Sequence, residues 1–140
     1  MSGDFIDSNV FVYLFDETEP AKKASATDLL KRCLSQRSAV ISFQVVQETL
    51  NVITRKLKVP VSIADAREFL DTVMAPLWRI MPSPKIYHRA LDVEERYHYG
   101  FFDALILASA LEGGCTRLYS EDLQDGQKIE QLVIENPFKD

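Results

Sequence analysis

The stretch FIDSNVFVYLF, residues 5–15, has the pattern of a buried strand that runs directly into a helix. Its first two residues form a short apolar run that ends at Asp7, and such a run predicts a strand buried on both faces. The apolar residues from Val10 onward predict a helix, and Asp7 or Ser8 can cap its first turn. The stretch therefore predicts a strand with an acidic side chain at its carboxyl end.

The rest of the chain continues this alternation of short apolar strands with helices. Further strands are predicted at Ala39–Ile41, Leu77–Ile80, Leu118–Tyr119 and Leu132–Ile134. Helices are predicted from Pro20 to about Ser35, from Ser42 to Pro60, from the capping box Ser62-Ile63-Ala64-Asp65 through Val73, from Ile86 to Tyr97, and from Phe102 to Leu111. Continuously apolar strands are typical of parallel sheets covered on both faces. The predicted fold class is therefore α/β, with three layers (α/β/α) around a mostly parallel, five-stranded sheet.

Length and composition predict a single domain over residues 1–140. The chain has a mass of 15.9 kDa, with 46% hydrophobic and 26% charged residues, as in ordinary globular proteins. No apolar run approaches the roughly 20 residues that a membrane-spanning helix needs, and the N-terminus lacks the basic region of a secretory signal. Cys33 and Cys115 form no CxxC pair and are predicted to be buried free thiols, which favours the cytoplasm.

Several catalytic classes lack their sequence motifs. The chain contains no GxGxxG, GxxxxGK or GxSxG motif, and its two histidines do not form HExxH. The net charge of −5, from 16 Lys and Arg against 21 Asp and Glu, disfavours non-specific binding to duplex nucleic acid. A divalent cation held by clustered carboxylates would, however, reverse the local field. Carboxylates are therefore the main candidates for catalytic chemistry.

Carboxylates lie at or near the carboxyl ends of the predicted strands, where α/β proteins bind their ligands. Asp7 follows the first strand and Asp122 the fourth, whereas Glu48 lies one to two turns into the helix after the second strand. Asp103 begins the most apolar helix and reaches the same edge if the crossover has the usual topology. Four carboxylates that meet at one edge would repel one another unless a cation bound between them. Their hard oxygen ligands suit Mg²⁺ or Mn²⁺.

Each of these carboxylates also has a purely structural explanation. Asp7 or Asp103 could cap a helix, Asp122 could form an Asx-turn, and Glu48 could reach solvent past the rim of the core. Asp125 lies on the same loop as Asp122 and could share or replace the fourth acidic position. The sequence favours Asp122 because that residue directly follows the strand.

Four segments, in this order and spacing, resemble the PIN-domain ribonucleases, in particular the VapC-like toxins of bacterial and archaeal toxin–antitoxin pairs. The segments are Phe5-Ile6-Asp7-Ser8-Asn9-Val10, Gln47-Glu48, Phe102-Asp103-Ala104-Leu105-Ile106-Leu107-Ala108 and Leu118-Tyr119-Ser120-Glu121-Asp122-Leu123. The resemblance extends from about Phe5 to Phe138. It implies an acidic metal-binding quartet of Asp7, Glu48, Asp103 and Asp122, supported by Asn9 and Ser120.

The resemblance also implies an activity and partners. Members of the family are Mg²⁺- or Mn²⁺-dependent endoribonucleases that cleave single-stranded or loop RNA, often transfer RNA. They are usually homodimers, held inactive by a small antitoxin encoded beside them. Asp7 and Asp103 would be the central metal ligands, with Glu48 and Asp122 completing the shell directly or through water. We therefore expect a cytoplasmic endoribonuclease with an RNA substrate and an antitoxin partner, and with no membrane association.

Two other interpretations compete with a nuclease. A phosphorelay receiver-like module needs an acidic pair near the first strand, but this strand ends in the single acid Asp7. A catalytically silent PIN scaffold would be expected to have lost one of the acids, by analogy with the family.

The candidate RNA contacts are less specific than the carboxylates. The basic pair Lys22-Lys23 is typical of a solvated helix end, and Glu121 is predicted to be a solvated neighbour of Asp122. Phe101 and Phe102 would suit base stacking, but their position before a buried helix favours packing in the core or in a dimer.

Overall fold

A six-stranded sheet forms the centre of the computed structural model, which describes residues 3–139. The strands are β1 (Asp4–Ile6), β2 (Ala39–Ser42), β3 (Trp78–Ile80), β4 (Arg117–Tyr119), β5 (Lys128–Ile129) and β6 (Leu132–Glu135). Their order is β3-β2-β1-β4-β6-β5, and every pairing is parallel except that of β5 with β6. The first strand of the chain therefore lies between β2 and β4, in the interior of the sheet.

The helices connect these strands and cover the sheet. They are α1 (Ser8–Tyr13), α2 (Pro20–Gln36), α3 (Phe43–Arg55), α4 (Ile63–Phe69), α5 (Ala75–Leu77), α6 (Pro84–Tyr97) and α7 (Phe101–Glu112), with a π-helical turn at Leu70–Met74. Neighbouring residues of β1 and β2, such as Phe5 and Ile6 or Val40 and Ile41, are all buried. Since successive side chains of a strand point to opposite faces, both faces are covered and the domain has three layers.

The predicted α/β class and all five predicted strands are confirmed, and the sheet has one strand more than expected. The additional strand, β5, has only two residues and forms a hairpin with β6 around Glu130, whose φ is +54°. A two-residue strand has too few side chains to give an alternating or continuous apolar pattern. The difference affects only the edge of the sheet and leaves the parallel interior as predicted.

The helix boundaries differ from the predictions in the middle of the chain. The capping box is confirmed, since the Oγ of Ser62 accepts a hydrogen bond of 3.1 Å from the backbone N–H of Asp65. Helix α3 ends at Arg55, before Pro60, because the chain turns back and the N–H of Val61 donates to the carbonyl of Ile53. None of the helices in the described residues is long and apolar enough to cross a membrane.

Leu107 tests how strongly helix α7 contributes to the core, because its side chain is completely buried. We expect Leu107→Ala to reduce the free energy of unfolding by about 2–5 kcal/mol, through lost apolar contact and the cavity left behind. Urea unfolding followed by circular dichroism measures the change. Leu91→Ala on the exposed side of α6 is the control and should shift stability by less than about 0.5 kcal/mol. Equal effects of the two variants would contradict this account of the core.

Candidate active site

Asp7 lies at the carboxyl end of the central strand β1 and is only 4% exposed. Its backbone N–H donates to the carbonyl of Tyr119 at 3.0 Å, which continues the pairing of β1 with β4. Its carboxylate oxygen Oδ1 accepts a 2.7 Å hydrogen bond from the N–H of Ser8 and thereby caps helix α1. The capping explanation is therefore correct, and it holds this carboxylate at the edge of the sheet where ligands bind.

Ser120 and Asn9 join Asp7 to the loop that follows β4. The buried hydroxyl of Ser120 donates to Oδ2 of Asp7 at 2.7 Å and accepts from the backbone N–H of Asp122 at 3.2 Å. The side-chain amide of Asn9 donates to Oδ2 of Asp122 at 3.1 Å and lies 3.5 Å from Oδ2 of Asp7. These two polar residues therefore position Asp122 beside Asp7.

Glu48 reaches the same place from helix α3. The hydroxyl of Ser8 donates to Oε1 of Glu48 at 3.3 Å and lies 3.5 Å from Oδ1 of Asp7, so one serine contacts both carboxylates. The amide nitrogen of Gln44 donates to Oε2 of Glu48 at 3.3 Å. Glu48 is thus half-buried and held from two sides instead of reaching free solvent.

Asp103 lies in the first turn of helix α7, which the structure brings to the same edge of the sheet. The amide nitrogen of Gln44 donates to the carbonyl of Phe102 at 3.1 Å and so joins the start of α7 to α3. Partial burial and the nearby carboxylate of Asp122 both raise the pKa of Asp103. The crossover expected from the sequence therefore places the third predicted acid near the others.

Burial and neighbouring carboxylates raise the pKa of Asp7, Glu48 and Asp103. Burial is the largest cause that raises the pKa of Asp7 to about 7, and the charges of Glu48 and Asp122 add to it. The hydrogen bonds from Ser120 and Ser8 oppose this rise without cancelling it. Burial also raises the pKa of Glu48, with further contributions from the other carboxylates.

The chemistry of these side chains fits a divalent cation. None of the ion pairs between described side chains involves Asp7, Glu48, Asp103 or Asp122. Carboxylate oxygens at a site with surplus negative charge are the ligands that Mg²⁺ and Mn²⁺ prefer. Within residues 3–139, however, no three His, Cys, Asp or Glu side chains are already arranged to hold an ion. Serine and asparagine side chains contact Asp7, Glu48 and Asp122 in this arrangement.

Asp125 does not lie with the other acids. It accepts a 2.8 Å hydrogen bond from the N–H of Asn136 and forms a 3.3 Å ion pair with Lys139. These two contacts lower the pKa of Asp125, in the opposite direction to that of Asp7. Asp125 therefore fastens the C-terminal segment to its loop, and Asp122 is the acid that faces the site.

Glu121 has a different environment from the solvated one that we predicted. It accepts hydrogen bonds of 2.6 Å from both the hydroxyl of Tyr13 and the ammonium of Lys22. Lys22 is accordingly a paired residue and not a solvated helix end. The prediction was wrong because both partners lie about a hundred residues away in sequence, and the pair holds the Asp122 loop against α1 and α2.

Two polar residues of the site were not identified as such from the sequence. From the sequence, Ser8 is predicted only to cap helix α1, yet its hydroxyl contacts both Asp7 and Glu48. Gln44 precedes Glu48 by four residues, and this one-turn spacing could have indicated a side-chain contact. Its second contact, with the start of α7, depends on packing and has no sequence signal.

Comparison with known proteins shows the family of the chain. The family model for the PIN domain matches residues 5–125. The chain belongs to the PIN domain family. The family that the sequence resembles is thereby confirmed, whereas the roles of the individual acids stay predictions. No curated protein matches the chain.

Several solved structures resemble this PIN domain in fold. A toxin–antitoxin complex from Klebsiella pneumoniae contains a chain that is 19% identical, with a TM-score of 0.66 over 96% of this chain and 97% of that one. VapC20 of Mycobacterium tuberculosis, a toxin that cleaves the sarcin–ricin loop, is 18% identical, with a TM-score of 0.62 over 85% and 89% of the two chains. VapBC2 from Rickettsia felis, bound to promoter DNA, gives 19% identity and a TM-score of 0.62 over 95% and 97%.

The raised pKa of Asp7 predicts how stability changes with pH when no metal is present. Folded Asp7 keeps its proton up to about pH 7, whereas the unfolded chain loses it near pH 4, so stability falls as pH rises between these values. Asp7→Asn removes this loss, and we expect it to be more stable than the wild type at pH 8 by a few kcal/mol, on the order expected for such a shift. Urea unfolding in EDTA at pH 5 and pH 8 measures the difference.

Asp125→Asn is the matched control for this measurement. Because hydrogen bonding and Lys139 lower the pKa of Asp125, its neutralisation should not stabilise the protein at pH 8. If the free energy of unfolding of Asp7→Asn depended on pH as that of the wild type does, the pKa of Asp7 would not be raised in the folded protein.

Proposed function

We propose that this PIN domain protein is a divalent-metal-dependent endoribonuclease and the toxin of a toxin–antitoxin pair. The observation that carries the proposal is the meeting of acids from four distant segments at one edge of the sheet, with hydroxyl and amide side chains between them. A purely structural role would not need neighbouring carboxylates that raise the pKa of Asp7, Glu48 and Asp103. Hydrolysis of phosphodiester bonds does use carboxylate-held metal ions.

We propose Asp7 and Asp103 as the central ligands of Mg²⁺ or Mn²⁺, with Glu48 and Asp122 completing the shell directly or through water. When bound, the cation supplies Lewis-acid stabilisation of the phosphate and lowers the pKa of the attacking water. Burial of Asp7 excludes competing solvent, and the hydroxyl of Ser120 holds its Oδ2 in place. Hydrogen bonds from other side chains to the metal-binding residues orient these ligands and tune their basicity.

The structural relatives support the proposed partners. One is described as a toxin–antitoxin complex, and another as a toxin that cleaves the sarcin–ricin loop of RNA. We propose that this chain likewise cleaves RNA, with transfer RNA as a candidate substrate, and that a small cognate antitoxin inhibits it. We also propose that it acts in the cytoplasm, as one domain and as a homodimer.

The PIN family match removes the basis for a phosphorelay receiver-like module. A catalytically silent PIN scaffold is the remaining alternative, and the presence of all four acids at one edge favours the enzyme. A nuclease assay separates the two, because a scaffold would not cleave RNA under any metal condition.

The proposed ligands predict the effect of removing single carboxylates on activity. We expect Asp7→Asn and Asp103→Asn each to reduce cleavage of bulk bacterial transfer RNA by about 100-fold or more in Mn²⁺, because each removes a negative metal ligand. Gel analysis of RNA fragments over time measures the rate. EDTA should abolish cleavage by the wild type.

Asp125→Asn is the control because that acid lies outside the site, and it should retain the wild-type rate. Cleavage by Asp7→Asn at the wild-type rate would refute the proposed metal site. Expression in cells offers a second readout, in which the wild type should arrest growth with loss of intact RNA and Asp7→Asn should not.

A further inference from the structure

An open cavity of about 250 Å³ lies beside the carboxylates, where helices α3, α6 and α7 meet. We refer to it as the aromatic cleft, and its principal lining residues are Ser42, Gln44, Met81, Tyr87, Phe101 and Phe102. The cleft and the acidic site share Gln44, which hydrogen-bonds to Glu48, and Phe102 directly precedes Asp103. If a phosphate of an RNA lay at the acids, the nucleotide beside that phosphate would therefore lie next to this cleft.

The aromatic cleft exposes large apolar side chains to water. Phe102 is 66% exposed, and Met81 and Tyr87 are exposed as well. The rings of Tyr87 and Phe101 are stacked at 6.4 Å between centroids, and Phe102 meets Phe101 edge-on at 5.4 Å. Of the two kinds of packing predicted for Phe102, packing in the core is thus wrong, whereas packing in a dimer stays a prediction. Exposed aromatic faces grouped beside a polar site are typical of a binding surface.

Buried polar atoms in the cleft lack partners in the described part of the chain. Gln44 is 9% exposed, and its amide nitrogen donates to the Glu48 carboxylate and to the Phe102 carbonyl. Both of these groups only accept, so the amide cannot be flipped and its Oε1 is a fixed acceptor without a donor. The hydroxyl of Ser42, which is 2% exposed, is likewise unpaired. Unpaired buried polar atoms are costly, and a partner that supplied a hydrogen-bond donor here would relieve that cost.

We propose that the aromatic cleft holds an unpaired RNA base adjacent to the cleaved phosphodiester bond, stacked on Phe102 and hydrogen-bonded to Gln44 and Ser42. This inference rests on the proposed nuclease function. A base offers a flat aromatic face together with N–H donors on its edge, and it therefore satisfies both the apolar and the polar lining. An apolar protein side chain would cover Phe102 but would leave Oε1 of Gln44 and the hydroxyl of Ser42 unpaired.

The base enters this cleft only with its pairing edge free. The cleft consequently selects single-stranded or looped RNA, because a base in a duplex already uses that edge and is stacked on both sides. The hydroxyl of Ser42 can donate or accept, whereas Oε1 of Gln44 only accepts. Discrimination among bases therefore depends on which group of the base pairs with the hydroxyl of Ser42. The requirement for an unpaired base comes from Gln44 and Phe102.

An abasic scan of a cleaved RNA tests the proposal. A pool of short single-stranded oligonucleotides of random sequence, incubated with the protein and Mn²⁺, first identifies a well-cleaved sequence. Versions of that RNA then each lack one base. We expect one position next to the cleaved bond at which loss of the base lowers kcat/KM by about 10-fold, the size expected for one stacking contact.

Variants of the cleft connect that position to Phe102. Phe102→Ala should lower kcat/KM by about 10-fold, mainly by raising KM. In this variant, loss of the base at that position should not lower kcat/KM any further. Phe102→Trp should restore most of the loss because it retains an aromatic face. Ser42→Ala should change which base is preferred there. Leu91→Ala, which truncates another exposed apolar side chain, on α6, is the control and should cleave like the wild type.

Binding without cleavage gives an independent readout. An RNA with 2-aminopurine at the same position should lose fluorescence when it binds to the Asp7→Asn variant, because the base stacks. The double variant Asp7→Asn, Phe102→Ala should not cause this loss of fluorescence.

The outcomes separate the two proposals. If the wild type cleaves no RNA in the pool, both the nuclease function and the base site are wrong. If it cleaves RNA but Phe102→Ala responds to every abasic position as the wild type does, the nuclease function stands and the base site is wrong. A Phe102→Ala variant that cleaves normally but escapes inhibition by the co-expressed antitoxin would also overturn the base site and assign the cleft to that protein.

Discussion

The buried carboxylate of Asp7 is the constraint on which the rest of the site depends. It terminates the central strand, caps the first helix and is shielded from water, so its ionised form is stable only with compensating partners. The N–H of Ser8 and the hydroxyl of Ser120 provide part of this compensation, but burial outweighs them and raises the pKa of Asp7 to about 7. A cation at this position would supply the charge that the protein's own donors do not.

The parallel sheet explains why other acids share this position. Because the strands run in the same direction, the segments after β1, β2 and β4 all leave the same edge, and α7 begins there before it returns toward β4. The polar residues at these segment starts then hold the acids in place: Ser8 between Asp7 and Glu48, and Asn9 between Asp7 and Asp122. Rigid packing of this kind keeps the negatively charged carboxylates close together, although their repulsion would otherwise separate them.

Gln44 connects the two functional parts of the molecule. Its amide nitrogen contacts Glu48 and the start of α7, and its buried oxygen is an acceptor without a donor at a residue that lines the aromatic cleft. Metal ligation and base recognition would thus share one side chain. A substitution of Gln44 would therefore disturb Glu48 as well as the cleft.

Local patterns in the sequence determined the strands, the capping box at Ser62 and the acids at the strand ends, because apolar runs, caps and strand termini depend on neighbouring residues. Three features depended on tertiary structure: the two-residue strand β5, the pairing of Glu121 with Lys22 and the exposure of Phe102. The tertiary structure also pairs Asp125 outside the site, in line with the preference for Asp122 that the sequence already indicated. Each is set by partners far away along the chain, and the energy of such contacts exists only once the sheet and helices have packed.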